Sequence, residues 1–114
     1  MNDLPVIEPR RKGRSLTQSM LIPSEEMVAT ELRAQPPGRL SDLGLLRRNL
    51  AKKYGADACC PVTVQRHLVR ISQTDSAPFW RVIDPDRPFA RRVAGGSLGI
   101  RERLAEEAQE GARA

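Results

Sequence analysis

The sequence is poor in the residues that bind structural metals or form disulfides. Its 114 residues include two cysteines and one histidine. Cys59 and Cys60 are adjacent in the chain, and neighbours this close rarely form a disulfide because the geometry is strained. Even with His67 they fall short of the ligand set of a structural zinc site. We therefore expect no disulfide, no metal and no cofactor.

Aromatic residues and long apolar runs are also scarce. Aromatic residues make up 4% of the chain, so leucine, valine and isoleucine must fill the core. No run of about 18 apolar residues occurs, which excludes a transmembrane helix by sequence. Residues 1–14 lack the apolar stretch of a secretory signal. The expectation is one domain, with no membrane association and a cytoplasmic location.

Positive charge exceeds negative charge. The chain has 19 Lys+Arg against 14 Asp+Glu, a net charge of +5. Basic domains attract phosphate-rich polymers through counterion release, although a generic solvated surface gives the same composition. Residues 1–21 carry Arg10, Arg11, Lys12 and Arg14 without a hydrophobic period. They are predicted to form a flexible basic tail, either ordering on a polyanion or only solubilising, before a domain over residues 22–111.

Hydrophobic periodicity predicts three helices in the first part of that domain. The first is capped by Ser24 and ends at the Gln-Pro-Pro-Gly of residues 35–38. The second begins at Ser41 or Asp42 and ends at Gly55, and the third runs from Pro61 to Ser72. The predicted buried positions recur at helical spacing: Met27, Val28, Leu32, Leu43, Leu46, Leu50, Tyr54, Val64, Leu68 and Ile71.

The third helix has a polar face apart from its apolar one. At about 100° per residue, Thr63, Arg66, His67 and Arg70 cluster there, and they are the candidate DNA contacts. Two helices joined by a short turn are typical of a helix-turn-helix. The predicted fold is mainly α, a winged-helix-like helix-turn-helix domain. It has one short extended segment over residues 79–83 and a last helix from Ser97 to Gly111 that packs Leu98 and Leu104 into the core.

Residues 78–83, Pro-Phe-Trp-Arg-Val-Ile, resemble the Pro-Cys-His-Arg-Val active-site motif of DNA alkyltransferases that repair alkylated guanine. Residues 95–101, Gly-Gly-Ser-Leu-Gly-Ile-Arg, resemble that family's Gly-Gly segment and closing helix. Residues 38–40, Gly-Arg-Leu, resemble the start of its helix-turn-helix. Order and spacing agree over about residues 22–111. With no cysteine at that position, the chain resembles the alkyltransferase-like proteins, the branch of this family that has lost the active-site cysteine.

The resemblance implies DNA binding without catalysis. Phe79 stands at the position of the cysteine nucleophile and Trp80 at that of its histidine, and neither ring can accept an alkyl group or act as a base. Alkyltransferase-like proteins bind double-stranded DNA containing alkylated guanine, flip the base into a pocket and recruit nucleotide excision repair proteins. Carried over to this chain, which is expected to be a monomer, the base pocket would comprise Pro78, Phe79, Trp80, Arg81, Gly95 and Gly96.

Some positions depart from the family. No arginine aligns with the one that replaces the flipped base, and Arg66 is the closest candidate; the family's phosphate-rotating tyrosine falls near Leu43. Arg81 could fix the loop through backbone carbonyls, and Trp80 could be a core residue. Two further functions remain open: a helix-turn-helix regulator or architectural protein on undamaged DNA, and an enzyme working through Cys59 or Cys60.

Overall fold

The computed structural model describes residues 5–13 and 16–113. Within them the chain forms three strands, four α-helices and two short 3-10 helices. In chain order they are β1 (Val6–Lys12), β2 (Leu16–Ile22), α1 (Glu25–Arg33), α2 (Leu43–Lys53), β3 (Ala58–Cys59), α3 (Pro61–Thr74), the 3-10 helices Phe79–Arg81 and Pro88–Arg92, and α4 (Gly96–Arg113).

The predicted mainly α class is wrong, because the helices pack with a three-stranded mixed sheet in an α+β fold. The strand order is β1-β2-β3, with β1 and β2 antiparallel from Val6 opposite Ile22 to Lys12 opposite Leu16. β2 and β3 run parallel, pairing Leu21 with Cys59. The prediction of a winged-helix-like domain is also wrong, because two of the three strands precede all the helices in the chain.

Residues 6–12 and 16–22 therefore form a hairpin in a segment predicted to lack regular structure. Every residue of β1 is exposed, so no buried alternation marks it in the sequence. β1 is also an edge strand, where charged residues and Pro9 are tolerated. The hairpin is anchored through β2, where Leu21 is fully buried in the core.

The predicted helices α1, α2 and α3 are confirmed, with their caps. Ser24 Oγ accepts the Met27 N–H at the start of α1, and Asp42 caps α2. Gly55 has a φ of 74°, the left-handed conformation predicted after α2, and Pro61 is the first residue of α3. The central prediction about the core also holds, because the side chains of the three leucines on which it rested are fully buried: Leu46, Leu50 and Leu68.

The segment predicted to be extended is helical at its start. Residues 79–81 form a 3-10 turn in which the Arg81 N–H donates to the Pro78 carbonyl at 3.3 Å and the Val82 N–H to the Phe79 carbonyl at 3.4 Å. Aromatic and β-branched residues favour strands only where a partner strand is available to pair with them. Here the chain packs between helices, and all four apolar side chains are buried without a ladder: Phe79, Trp80, Val82 and Ile83.

The last helix is longer than predicted, and the face that packs against the core differs from the predicted one. α4 begins at Gly96 and runs to Arg113. Ile100 is fully buried and Leu104 packs against the core, but Leu98 is 67% exposed. Residues two apart on a helix lie on nearly opposite sides, so Leu98 and Ile100 cannot both face the core. The predicted core role of Leu98 is therefore wrong.

Candidate nucleic-acid interface

Helix α3 presents two arginines to solvent. Arg66 and Arg70 are both exposed. Arg70 Nε lies 3.4 Å from Glu25 Oε1, but its side chain keeps 75% of its surface exposed. A pair this open is screened by water and contributes little to stability, so the Arg70 guanidinium remains able to meet another anion. Two of the four predicted contact residues therefore have the expected exposure.

The other two predicted contact residues are engaged inside the protein. The Nε2–H of His67 donates to the Pro23 carbonyl at 2.9 Å, which ties α3 to the segment before α1. The Thr63 hydroxyl donates to Cys60 Sγ at 3.2 Å. Both residues are half-buried. They position the amino-terminal half of α3 and leave the two arginines as the available donors.

A third arginine joins them across the fold. The 3-10 helix at residues 88–92 brings Arg92 beside α3, and the guanidinium of Arg92 lies 5.4 Å from the centre of the Phe89 ring. Together these elements enclose an open groove of about 450 Å³, here called the arginine groove. Its walls are Arg66, Val69, Arg70, Gln73, Thr74 and Arg92.

The arginine groove carries no carboxylate in its walls. Over residues 5–13 and 16–113, neither Arg66 nor Arg92 forms an ion pair. Three guanidinium groups so placed, with Glu25 as the adjoining carboxylate, leave a local excess of positive charge. Sequence reasoning missed Arg92 because 22 residues separate it from Arg70 and only the tertiary fold closes that distance.

The aromatic pair of the predicted base pocket lies in the core. Phe79 is 4% exposed and Trp80 is 9% exposed. Their rings meet edge to face, with centroids 5.2 Å apart and planes at 79°. Trp80 Nε1–H donates to Glu107 Oε1 at 2.8 Å, so the polar atom of the indole is satisfied inside the protein.

Arg81 is held by the same glutamate. Its Nε and Nη2 both donate to the Glu107 carboxylate, and its Nη1 donates to the Gln35 carbonyl at 3.1 Å. Burial works to raise the pKa of Glu107, but hydrogen bonds from Arg81, Trp80 and the Gly38 N–H outweigh it and lower that pKa. The Arg81 side chain thus fixes this region through a partly buried carboxylate and a backbone carbonyl.

Only two of the six residues of the predicted base pocket line a common cavity. A small cavity of about 230 Å³ has Phe79 and Gly95 in its walls, whereas Pro78, Trp80, Arg81 and Gly96 do not line it. Its other lining residues are Ser72, Asp75, Ala94, Gly99 and Arg103. The volume is below the range of about 300–1,000 Å³ that is typical of ligand pockets.

An ion pair borders this cavity. Arg103 Nη2 donates to Asp75 Oδ2 at 2.9 Å, and the Arg103 guanidinium stacks 4.6 Å from the centre of the Trp80 ring. Both side chains are partly exposed, so the pair can open at small cost. Opening of the pair would enlarge the cavity on that side and would also remove the Arg103 contact with the Trp80 ring.

The arginine groove and the cavity are neighbours. On α3, Val69 lines the groove and Ser72, one turn further on, lines the cavity. In the segment before α4, Arg92 at the end of the 3-10 helix lines the groove and Ala94 lines the cavity. Each element thus contributes a residue to both features, which places a concave space directly beside the cationic groove.

The two cysteines differ in their ionisation. Burial raises the pKa of Cys59 to about 11. For Cys60, burial acts in the same direction, but hydrogen bonds from Thr63 and the backbone of Val62, with Arg10 nearby, lower its pKa. Both thiols are free and more than nine-tenths buried. Within the described part of the chain, no group of His, Cys, Asp and Glu side chains could hold a metal ion.

Comparison of the chain with protein-family models, with curated proteins and with solved structures returned no match. Among residues 5–13 and 16–113, no helix has the length and apolar character needed to cross a membrane.

Proposed function

We propose that the protein binds double-stranded DNA through the arginine groove and carries out no alkyl transfer. The observation that carries this proposal is the convergence of Arg66, Arg70 and Arg92 on one groove whose walls contain no carboxylate. Guanidinium groups pair well with phosphate because their fork of donors matches its oxygens. A duplex backbone supplies such phosphates at regular spacing, and each one neutralised releases counterions.

The finer part of the proposal is recognition of alkylated guanine, in keeping with the resemblance to alkyltransferase-like proteins. The cavity beside the arginine groove would receive the flipped base, with Phe79 as a stacking surface. Opening of the Asp75–Arg103 ion pair would enlarge it. Flipping costs a few kcal/mol, which stacking can return. A cytoplasmic monomer that recruits nucleotide excision repair proteins completes the proposed role.

A second candidate function is binding of undamaged DNA, as a regulator or an architectural protein. The observation in its favour is that the aromatic residues of the predicted pocket are engaged in the core. Phe79 is 4% exposed, and Trp80 uses its only side-chain donor on Glu107. Under this alternative the arginine groove binds the phosphate backbone of DNA, and no flipped base enters the cavity.

A binding titration on two duplexes tests both candidates. Fluorescence anisotropy would compare a duplex carrying one O6-alkylated guanine with its unmodified twin. The variants are Arg92→Ala in the groove and, as a matched loss of charge, Arg39→Ala at an exposed arginine outside the groove walls. We expect Arg92→Ala to weaken binding to both duplexes and Arg39→Ala to change it far less.

The two candidates then separate by preference. Tighter binding of the alkylated duplex supports recognition of the lesion, whereas equal binding supports the second function. If Arg92→Ala and Arg39→Ala have equal effects, the arginine groove is not the DNA-binding surface.

A further inference from the structure

Arg47 has a buried donor that no described residue satisfies. Its side chain leaves the middle of α2, and its Nε atom is inaccessible to solvent without a hydrogen-bond partner among the described residues. No carboxylate over residues 5–13 and 16–113 forms an ion pair with it. Proteins seldom leave a buried charged donor without an acceptor, so the Arg47 guanidinium keeps donor capacity that the described residues do not use.

Arg47 lines a cavity of about 530 Å³ between α2 and the segment that leads into β3. Three cationic side chains contribute to its walls: Arg47, Arg48 and Lys52. We call this cavity the α2 cleft. Its other lining residues are Gly44, Ala51, Ala56, Asp57, Ala58 and Cys59. The walls therefore contain three cationic side chains and one carboxylate, that of Asp57.

The Asp57 carboxylate already accepts a hydrogen bond from within the protein. Asp57 Oδ2 accepts the Ser19 N–H at 2.8 Å, and the Asp57 N–H returns a hydrogen bond to Ser19 Oγ at 2.9 Å. Arg48 is paired with Asp42 at 3.7 Å, but both side chains are more than two-thirds exposed, so water screens that pair. The α2 cleft therefore keeps an excess of positive charge around the unsatisfied Arg47 donor.

We propose that the α2 cleft is a phosphate-binding site in which Arg47 is the principal donor. A phosphate dianion accepts several hydrogen bonds at once and matches the charge of a cleft with two guanidinium groups and one ammonium group. Arg47 and Arg48 also line a second cavity of about 800 Å³ that includes the apolar side chains of Leu43, Val82 and Phe89. A phosphate at Arg47 could therefore carry an organic group that extends into this second space.

The phosphate could be free or belong to a nucleic acid, and the experiment has an arm for each source. The first arm titrates the full chain with inorganic phosphate and with pyrophosphate at constant ionic strength, followed by backbone amide chemical shifts. Saturable shifts are expected in residues 44–52 and 56–59. Arg47→Gln should weaken binding by about tenfold or more, because a charge-assisted donor is lost. Arg39→Gln, the same change at an exposed site outside the cleft, should leave it unaltered.

Loss of the fold is separated from loss of the site by thermal denaturation of each variant. If Arg47→Gln melts within a few degrees of the parent chain and binds phosphate equally well, or if the parent shows no saturable shift, the proposal is overturned. Should Arg47→Gln fail to fold, Arg48→Gln and Lys52→Gln serve instead, and unchanged binding in both overturns it equally.

The second arm measures duplex binding of the same variants. A loss with Arg47→Gln in both arms assigns the α2 cleft to DNA phosphates, and a loss in the phosphate arm alone assigns it to a free phosphate compound. The cleft does not depend on the arginine groove, so Arg92→Ala should leave the phosphate titration unchanged. Failure of DNA binding at the groove and failure of this site are thereby distinguished.

Discussion

The Ser72 hydroxyl joins helix α3 to the Ala94 backbone in the loop before α4. Ser72 Oγ donates to the Val69 carbonyl at 2.6 Å and accepts the Ala94 N–H at 2.9 Å. Ser72 is 5% exposed, and every other polar or charged residue that the structure describes is more exposed. Through this bond the loop that follows Arg92 is held against α3, where Arg66 and Arg70 lie. One hydroxyl thus positions both the arginine groove and the neighbouring cavity.

Ser72→Ala should loosen that arrangement. The variant loses one hydrogen bond to the loop, so the free energy of unfolding should fall by about 0.5–1.5 kcal/mol. Duplex affinity should fall as well, because Arg92 is no longer fixed beside α3. Urea denaturation and fluorescence anisotropy measure the two effects. Ser76→Ala, at an exposed serine, is the control. Unchanged affinity in Ser72→Ala would show that the position of Arg92 does not matter for binding.

The double variant Arg66→Ala with Arg70→Ala should weaken binding to every duplex and reduce its salt dependence. The slope of log K against log salt should become shallower by about 0.9 for each DNA phosphate that the variant no longer neutralises. Anisotropy titrations at several salt concentrations give that slope. The matched variant, Arg39→Ala with Arg101→Ala, removes the same charge outside the groove. Equal slopes in the two double variants would mean that only net charge matters.

Glu107→Ala should be strongly destabilising. The carboxylate is 13% exposed and receives hydrogen bonds from Trp80 and Arg81, which is itself 15% exposed. Its removal leaves a partly buried guanidinium and an indole N–H without their acceptor, at a cost of about 3 kcal/mol, the lower end for a buried pair because water still reaches both groups. Chemical denaturation measures the change. Glu110→Ala, one turn further along α4 and exposed, should cost little.

The same carboxylate predicts a pH dependence of stability. Because the folded protein lowers the pKa of Glu107 below its ordinary value of 4.5, the unfolded chain binds the proton more tightly. The stabilisation is therefore complete above that ordinary value and is lost as pH falls through the lower folded value. Denaturation curves recorded across this acidic range should show a steeper loss in the parent chain than in Glu107→Gln. Parallel curves would contradict the assignment.

Phe79 should prevent alkyl transfer and contribute to lesion preference. Intact-mass spectrometry after incubation with a duplex containing O6-methylguanine should show no added methyl group.

Phe79→Leu keeps an apolar side chain and should cost about 1 kcal/mol of stability. It should lower the preference for the alkylated duplex, because stacking on an aromatic ring is worth about 1–3 kcal/mol per base. Equal losses on both duplexes would identify Phe79 as a core residue only. A mass gain at Cys59 or Cys60 would instead indicate a thiol-dependent enzyme.

Local rules in the sequence determined the three central helices. Ser24 and Asp42 cap helices, Pro61 starts one, and Gly55 adopts the left-handed conformation after another. These features depend on neighbours within one or two turns, so the sequence contains all the interactions that fix them. The exposure of Arg66 and Arg70 follows for the same reason, since the apolar stripe of α3 places the opposite face outward.

The hairpin, the 3-10 turn at Phe79 and the composition of the arginine groove were decided by tertiary structure. β1 has no buried face to impose a period, and its pairing depends on a β2 strand anchored by Leu21 in the distant core. The chain at Phe79 forms a 3-10 turn because helices, and no partner strand, surround it. Arg92 lies beside α3 only because the segment before α4 folds back onto that helix. Interactions between residues far apart in sequence carry no local signature. Propensity and periodicity therefore specified the helices of this protein and the exposure of Arg66 and Arg70, whereas packing specified its sheet and brought Arg92 to the arginine groove.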